Sequence, residues 1–115
     1  LLKFSTFQDL EEYLPPGHDG VVNRLLVGTA RGDGEDASIW HGKLEPGGGS
    51  EVHIHPDSVQ VYVGIAGEMV VGDDDEEHIL DPLATAVFPA GARHFIENRS
   101  DRDAEVLVIS VPALR

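Results

Sequence analysis

The chain has 115 residues, 41% of them apolar, no cysteine, and a formal net charge of −13 from 21 acidic and 8 basic side chains. That length favours one domain built on a single core, and the apolar content excludes disorder by composition. The acidity argues against nucleic acid and anionic membrane surfaces as partners. The lack of cysteine removes disulfides and thiolate ligands, and no apolar run approaches the ~20 residues that span a bilayer.

At the start, Leu1-Leu2-Lys3-Phe4 does not form a signal peptide, and a cytoplasmic location is expected. A short helix is expected over 6–14. Thr6 is a suitable N-cap with Asp9 three residues on, Phe7, Leu10 and Leu14 share a face, and Pro15-Pro16-Gly17 ends the helix. Residues 1–20 then form a helical arm and 21–115 the main domain. Nine strands are expected from alternation and turn residues: 21–29, 37–44, 51–55, 59–65, 68–71, 77–80, 85–88, 93–98 and 105–111. Many short strands without a helical crossover predict an antiparallel sandwich or a closed barrel.

The third of these strands carries His53 and His55. Strand side chains alternate with period two, so both imidazoles leave the same face and can reach one ion. Gln60 follows, and His94 sits just after the turn-forming Pro89-Ala90-Gly91. Three histidines and one amide make a reasonable shell for a divalent transition metal: nickel, zinc, iron, manganese or cobalt, one per chain. Alternation puts Gln60 and Tyr62 on one face, so Tyr62 is a candidate for proton handling and substrate binding. His41 is a second candidate for both, and Ile96 or Phe95 for walling the pocket. Each has an ordinary alternative in core packing or a half-exposed strand position. Arg24 and Arg93 read as surface ion-pair partners, and His18 and His78 as solvated loop residues. The run Asp73-Asp74-Asp75-Glu76-Glu77 lacks the spacing and glycine of a calcium loop and reads as a hairpin tip.

Two motifs give these residues a common context. Gly47, His53, His55, Gln60 and Gly67 keep the spacing of the first cupin motif, with glutamine where glutamate is usual. Pro89, Gly91, His94 and Asn98 keep the second, with Leu83 where its leading glycine is expected. The chain therefore resembles the cupin superfamily. The resemblance implies an all-β fold, a double-stranded β-helix or jelly-roll barrel with a short N-terminal helix. It also implies a homodimer paired through an edge strand and the N-terminal segment. The three-histidine-plus-glutamine shell is similar to that of a pectin-degradation group that opens unsaturated uronate sugars. That group carries an aspartate on its last strand, at the position that counting from His94 assigns to Ile109. The function implied is a metal-dependent enzyme, an isomerase, lyase or dioxygenase, acting on a small, anionic oxygenated metabolite. The alternative is a non-catalytic sensor or binding module.

Overall fold

The computed structural model describes residues 2–16 and 18–114; Leu1, Arg115 and Gly17, the last residue of the expected helix stop, lie outside it. Ten strands follow in chain order: β1 (Glu12–Tyr13), β2 (His18–Val27), β3 (Ser38–Ser50), β4 (His53–Ile54), β5 (Val59–Ala66), β6 (Met69–Gly72), β7 (Glu77–Leu80), β8 (Thr85–Phe88), β9 (Arg93–Glu97) and β10 (Ala104–Val111). All pairings are antiparallel, along the path β7-β6-β9-β3-β10-β5-β8, with β2 on β3, β1 on β2 and β4 on β9. This is the nearly closed barrel that the strand spacing predicts.

The expected helix over 6–14 is not formed. Phe7–Asp9 makes one 3-10 turn, in which the Thr6 N–H donates to the Asp9 carboxylate at 3.4 Å. Glu12 and Tyr13 then pair with Arg24 and Asn23 of β2. A nine-residue helix is marginal in water, because nucleation is unfavourable, and a sheet edge offers these backbone groups partners at once.

β3 holds the two sides together. Its first half pairs with β2 and β10, and its last residues pair with β2 and β9. It bends through Pro46-Gly47-Gly48-Gly49, where a Cβ on Gly48 would lie 2.4 Å from the Gly20 carbonyl oxygen. Only glycine allows that approach.

Register decides which side chains face inward. Ser38, Ser110, Gln60 and Phe88 form one transverse inner row, and Trp40, Val108, Tyr62 and Ala86 the next. The outer rows are Ile39, Ile109, Val61 and Val87, then His41, Leu107, Val63 and Thr85. The core includes Leu44, Tyr62, Met69, Val71, Leu80, Phe88, Ile96 and Val106. Burying one such side chain as completely as Leu44 contributes roughly 2 kcal/mol.

The motif residues outside the histidine cluster hold the backbone. Gly47, Gly67 and Gly91 all adopt positive φ, and so does Leu83 at 66°. Asn98 is fully buried; its amide donates to the carbonyls of Leu44 (3.0 Å) and Arg102 (2.7 Å) and accepts from the N–H (3.0 Å) and hydroxyl (2.7 Å) of Ser100. It satisfies the turn between β9 and β10.

Candidate metal centre

His53 on β4 stands opposite His94 on β9 in the strand register. The Gly91 N–H donates to the His55 carbonyl at 3.0 Å, tying the turn over 89–92 to the His-x-His segment. The ring centroids lie 4.2 Å (His53–His94), 4.9 Å (His53–His55) and 5.4 Å (His55–His94) apart. One nitrogen from each of the three falls within 4.8 Å of the others, a grouping able to hold a metal ion.

The tautomers of two of these rings follow from their partners. Nδ1 of His53 donates to the Glu51 carbonyl at 2.8 Å, and Nδ1 of His94 to the Ala92 carbonyl at 2.9 Å. A carbonyl only accepts, so each Nδ1 carries the proton and each Nε2 presents a lone pair. Burial disfavours the charged imidazole. It pushes His53 and His94 below the ordinary 6.5, partly offset by those two carbonyls. His55 has no such carbonyl; burial, then the neighbouring imidazoles, push it down to about 4. The cluster is neutral near pH 7, the state that ligates a metal.

Gln60 completes the set from β5. It is 2% exposed, its Nε2 donates to Ser110 Oγ at 2.9 Å, and its Oε1 lies 2.8 Å from Nε2 of His94. Since Ala92 holds the single His94 proton, those last two atoms are both acceptors. Two lone pairs held together in a buried place are what a cation would relieve. Tyr62 is also buried; its hydroxyl donates to Gln60 Oε1 at 3.5 Å, and burial raises its pKa and keeps it protonated. Phe88 stacks on the far side of His94 at 4.7 Å.

Other candidates lie elsewhere. His41 is on the outer face, where its Nε2 lies 2.8 Å from a Glu105 carboxylate oxygen and Phe7 packs edge-on at 4.9 Å. It does not face the histidine cluster, because its parity on β3 is opposite to that of Gly42 and Leu44. Ile96 faces inward within the core cluster, while Phe95, of opposite parity, packs over Gly72. Arg24 pairs with Glu12 at 3.2 Å and Arg93 with Asp74 at 3.1 Å. Asp73 Oδ1 accepts the N–H groups of Asp75 and Glu76, each at 2.9 Å, closing the acidic hairpin tip on itself. His78 is exposed beside Glu76.

Two residues join the site that the sequence reading left out. His18 is half-buried at the start of β2, its ring 5.7 Å from that of His53. Its Nδ1 donates to the Pro16 carbonyl at 3.0 Å, the same i−2 arrangement as in His53 and His94. The preceding Pro-Pro-Gly made it look like a loop residue. The other is Ser110. Ile109, the position counted from His94, faces outward opposite Val61 and Ile39, and the inward side chain beside Gln60 is Ser110. The strand register fixes this parity, with Glu105 on the same outer face as Ile109.

Comparison with known proteins agrees with this architecture. A family model described as Cupin domain matches residues 40–110. The chain is 31% identical over 107 residues to a protein named beta-D-galactosidase Rv1717 from Mycobacterium tuberculosis, covering 93% of this chain and 91% of that one. Among solved structures, it is similar to a sugar phosphate isomerase from a cupin superfamily of Silicibacter pomeroyi (28% identity, TM-score 0.79, 95% of this chain and 75% of the other). It is also similar to TT1209 from Thermus thermophilus (30% identity, TM-score 0.76, 96% and 98%).

Proposed function

The chain belongs to the cupin domain family, and on that premise we propose that His53, His55, His94 and the Gln60 amide oxygen hold one divalent transition metal. There a small oxygenated metabolite binds and is isomerised, opened or oxygenated. The observation that carries this reading is the convergence of three neutral imidazoles whose nitrogens lie within 4.8 Å of one another, beside a buried amide oxygen. When bound, the ion supplies Lewis acidity toward a carbonyl or carboxylate oxygen. All four donors are neutral, so the full dipositive charge remains for the ligand, which favours an anionic or chelating one. Nickel, zinc, iron, manganese and cobalt all suit the set.

The protein's own groups orient and exclude. Tyr62 keeps its proton and offers a donor to oxygen at the inner wall. Phe88 and the core beneath it exclude water from the far side of His94. A sugar or sugar-acid substrate is favoured because two of the similar proteins carry names for enzymes acting on sugars. The neutral shell favours isomerisation or ring opening over oxygenation.

One observation favours a second reading, a non-catalytic binding module: among the described residues, no carboxylate hydrogen-bonds to the three imidazoles or to Gln60. Two copies of the chain would pair across the outer rows around Ile39, Val61, Val87 and Ile109, with β8 as the edge strand. In support, these rows carry no acid in a strongly acidic chain, and Val87 is 62% exposed. Light scattering on eluting protein should give twice the chain mass.

Elemental analysis of untagged protein tests the site. About one equivalent of metal, lost in His53→Ala without unfolding, supports it. Turnover of uronate or keto-sugar probes without oxygen uptake would select isomerase or lyase chemistry, and oxygen uptake a dioxygenase. Stoichiometric metal without turnover would select the binding module.

A further inference from the structure

A substrate larger than the metal centre needs open space beside the donors. Three sides of the cluster are occupied. Toward the core, the next inward row holds Tyr62, Val108 and Ala86. Phe88 stacks behind His94, and the His18 ring flanks His53. On the remaining side the strands run out: Val59 pairs with Val111, one step past Gln60 and Ser110. Beyond that pair opens a cleft of about 420 Å³, lined by His55, Asp57, Ser58 and the C-terminal Pro112-Ala113-Leu114. The outer groove beside His41 and the crevice between β7 and β8 touch none of the four donors. The C-terminal wall is held in place. Buried Ser58 donates to the Pro112 carbonyl at 2.9 Å, the Ala113 N–H donates to the Glu35 carbonyl at 3.0 Å, and the Leu114 N–H to Ser110's counterpart on β3, Ser38 Oγ, at 3.2 Å.

Asp57 is the one charged side chain in this cleft besides the His55 imidazole, and it is exposed with no hydrogen bond or ion pair among the described residues. It follows His55 by two residues, so their Cα atoms are at most about 7 Å apart. A carboxylate accepts hydrogen bonds from hydroxyls and repels another anion. We propose that the cleft is the subsite for the part of the substrate that extends beyond the metal, and that Asp57 makes it accept hydroxyl-bearing carbon and reject a second anionic group. The substrate is then a monoanion, its acid end on the dipositive centre and its neutral, hydroxylated end beside Asp57. A dicarboxylic or phosphorylated sugar is excluded. This assignment rests on the metal-binding reading above and sharpens its substrate class.

Calorimetry on the full chain loaded with cobalt(II) tests this with three probes. Gluconate and glucarate share one carbon chain and differ only at the far end, a hydroxymethyl group against a second carboxylate. Glycolate carries the acid end alone and does not reach the cleft. Gluconate should bind about 5- to 30-fold more tightly than glucarate, the order expected for like charges this close in a partly solvated cleft. Asp57→Asn should bring the two within about 2-fold, and Asp57→Lys should invert the preference. Asp101→Asn, at the other end of β10, should leave it as it is, because a charge that distant is screened. Leu114→Trp, which narrows the cleft, should weaken gluconate by at least about 10-fold and spare glycolate and cobalt. A gluconate-to-glucarate ratio unmoved by both Asp57 substitutions, with cobalt held as in the wild type, would overturn the assignment and leave the metal site standing. Cobalt-loaded protein that binds glycolate but neither longer acid would overturn it too. Wild-type protein that binds cobalt no better than His53→Ala would overturn the metal reading and this inference together.

Discussion

The inner histidine cluster and the outer groove around His41 use the same side chain for opposite ends. Among the described residues, His53, His55 and His94 face one another with no carboxylate partner, His94 buried and the other two half-buried, and burial lowers the proton affinity of each. His41, one strand away, lies 2.8 Å from Glu105 in an outer groove of about 310 Å³ whose walls include Phe7, Arg24 and Lys43. Nothing in the residue type separates the two. Strand parity does: an inward imidazole meets other imidazoles, whereas an outward one meets the acidic surface of a strongly acidic chain. The capacity of these rings to hold a metal is thus a property of an enclosure that keeps them neutral and away from the acidic surface.

The largest effect should come from removing an inner imidazole. His94→Ala or His53→Ala should lower metal affinity by at least about 100-fold, beyond what removing an orienting partner does, whereas His41→Ala should leave metal content unchanged. Equal losses in both regions, read by elemental analysis, would erase the distinction. Gln60→Glu comes next. A charged fourth ligand should tighten metal retention by about 10-fold, some 1.4 kcal/mol, and weaken anionic ligands in calorimetry. An unchanged affinity would remove Gln60 from the shell.

Acid sharpens the contrast further. In the unfolded chain an imidazole titrates near 6.5, whereas folded His55 titrates near 4, with His53 and His94 also lowered. Between those limits the unfolded chain binds more protons, so stability rises with pH. The metal-free protein should therefore lose melting temperature as pH falls from about 6.5 toward 4. That window lies above the range in which Asp33, Asp73 and Glu77, held below their ordinary 3.8 to 4.5, take up protons. His55→Asn should flatten the upper slope and leave the lower one; an unaltered upper slope would mean the enclosure does not depress His55. The smallest effect belongs to the outer groove. Glu105→Gln should change stability by less than about 1 kcal/mol, as for partly exposed ion pairs, and leave cobalt affinity untouched. A shift in that affinity would show that the two regions communicate.

Much of this was legible in the residues. Period-two alternation placed His53 and His55 together and Gln60 with Tyr62, and motif spacing brought His94 to them. What escaped did so for tertiary reasons. Residues 45–50 fall between the strands expected over 37–44 and 51–55, yet they continue β3, because Gly48 and Gly49 let Gly20 and β9 approach the backbone. The spacing of Phe7, Leu10 and Leu14 reads as a helix, yet Glu12 and Tyr13 find partners on β2. His41 and Ile109 were assigned without a parity marker. In β10 the run Val106-Leu107-Val108-Ile109 is apolar on both faces, so alternation is silent there and only the register separates Ile109 from Ser110. His18 could not be found from its neighbours, since it follows Pro15-Pro16-Gly17 in the sequence.

Leu83 shows what a motif records. It is the one described residue other than glycine with positive φ, at 66°, and it stands where the second motif expects glycine. A side chain in that left-handed conformation costs about 1–2 kcal/mol relative to a relaxed backbone, and here the side chain points into solvent, 80% exposed, gaining little in return. The turn holds with leucine the torsion angle that glycine adopts freely. Glycine at such a position would relieve the backbone without removing a packed side chain, so Leu83→Gly is a ready route to a hardier barrel.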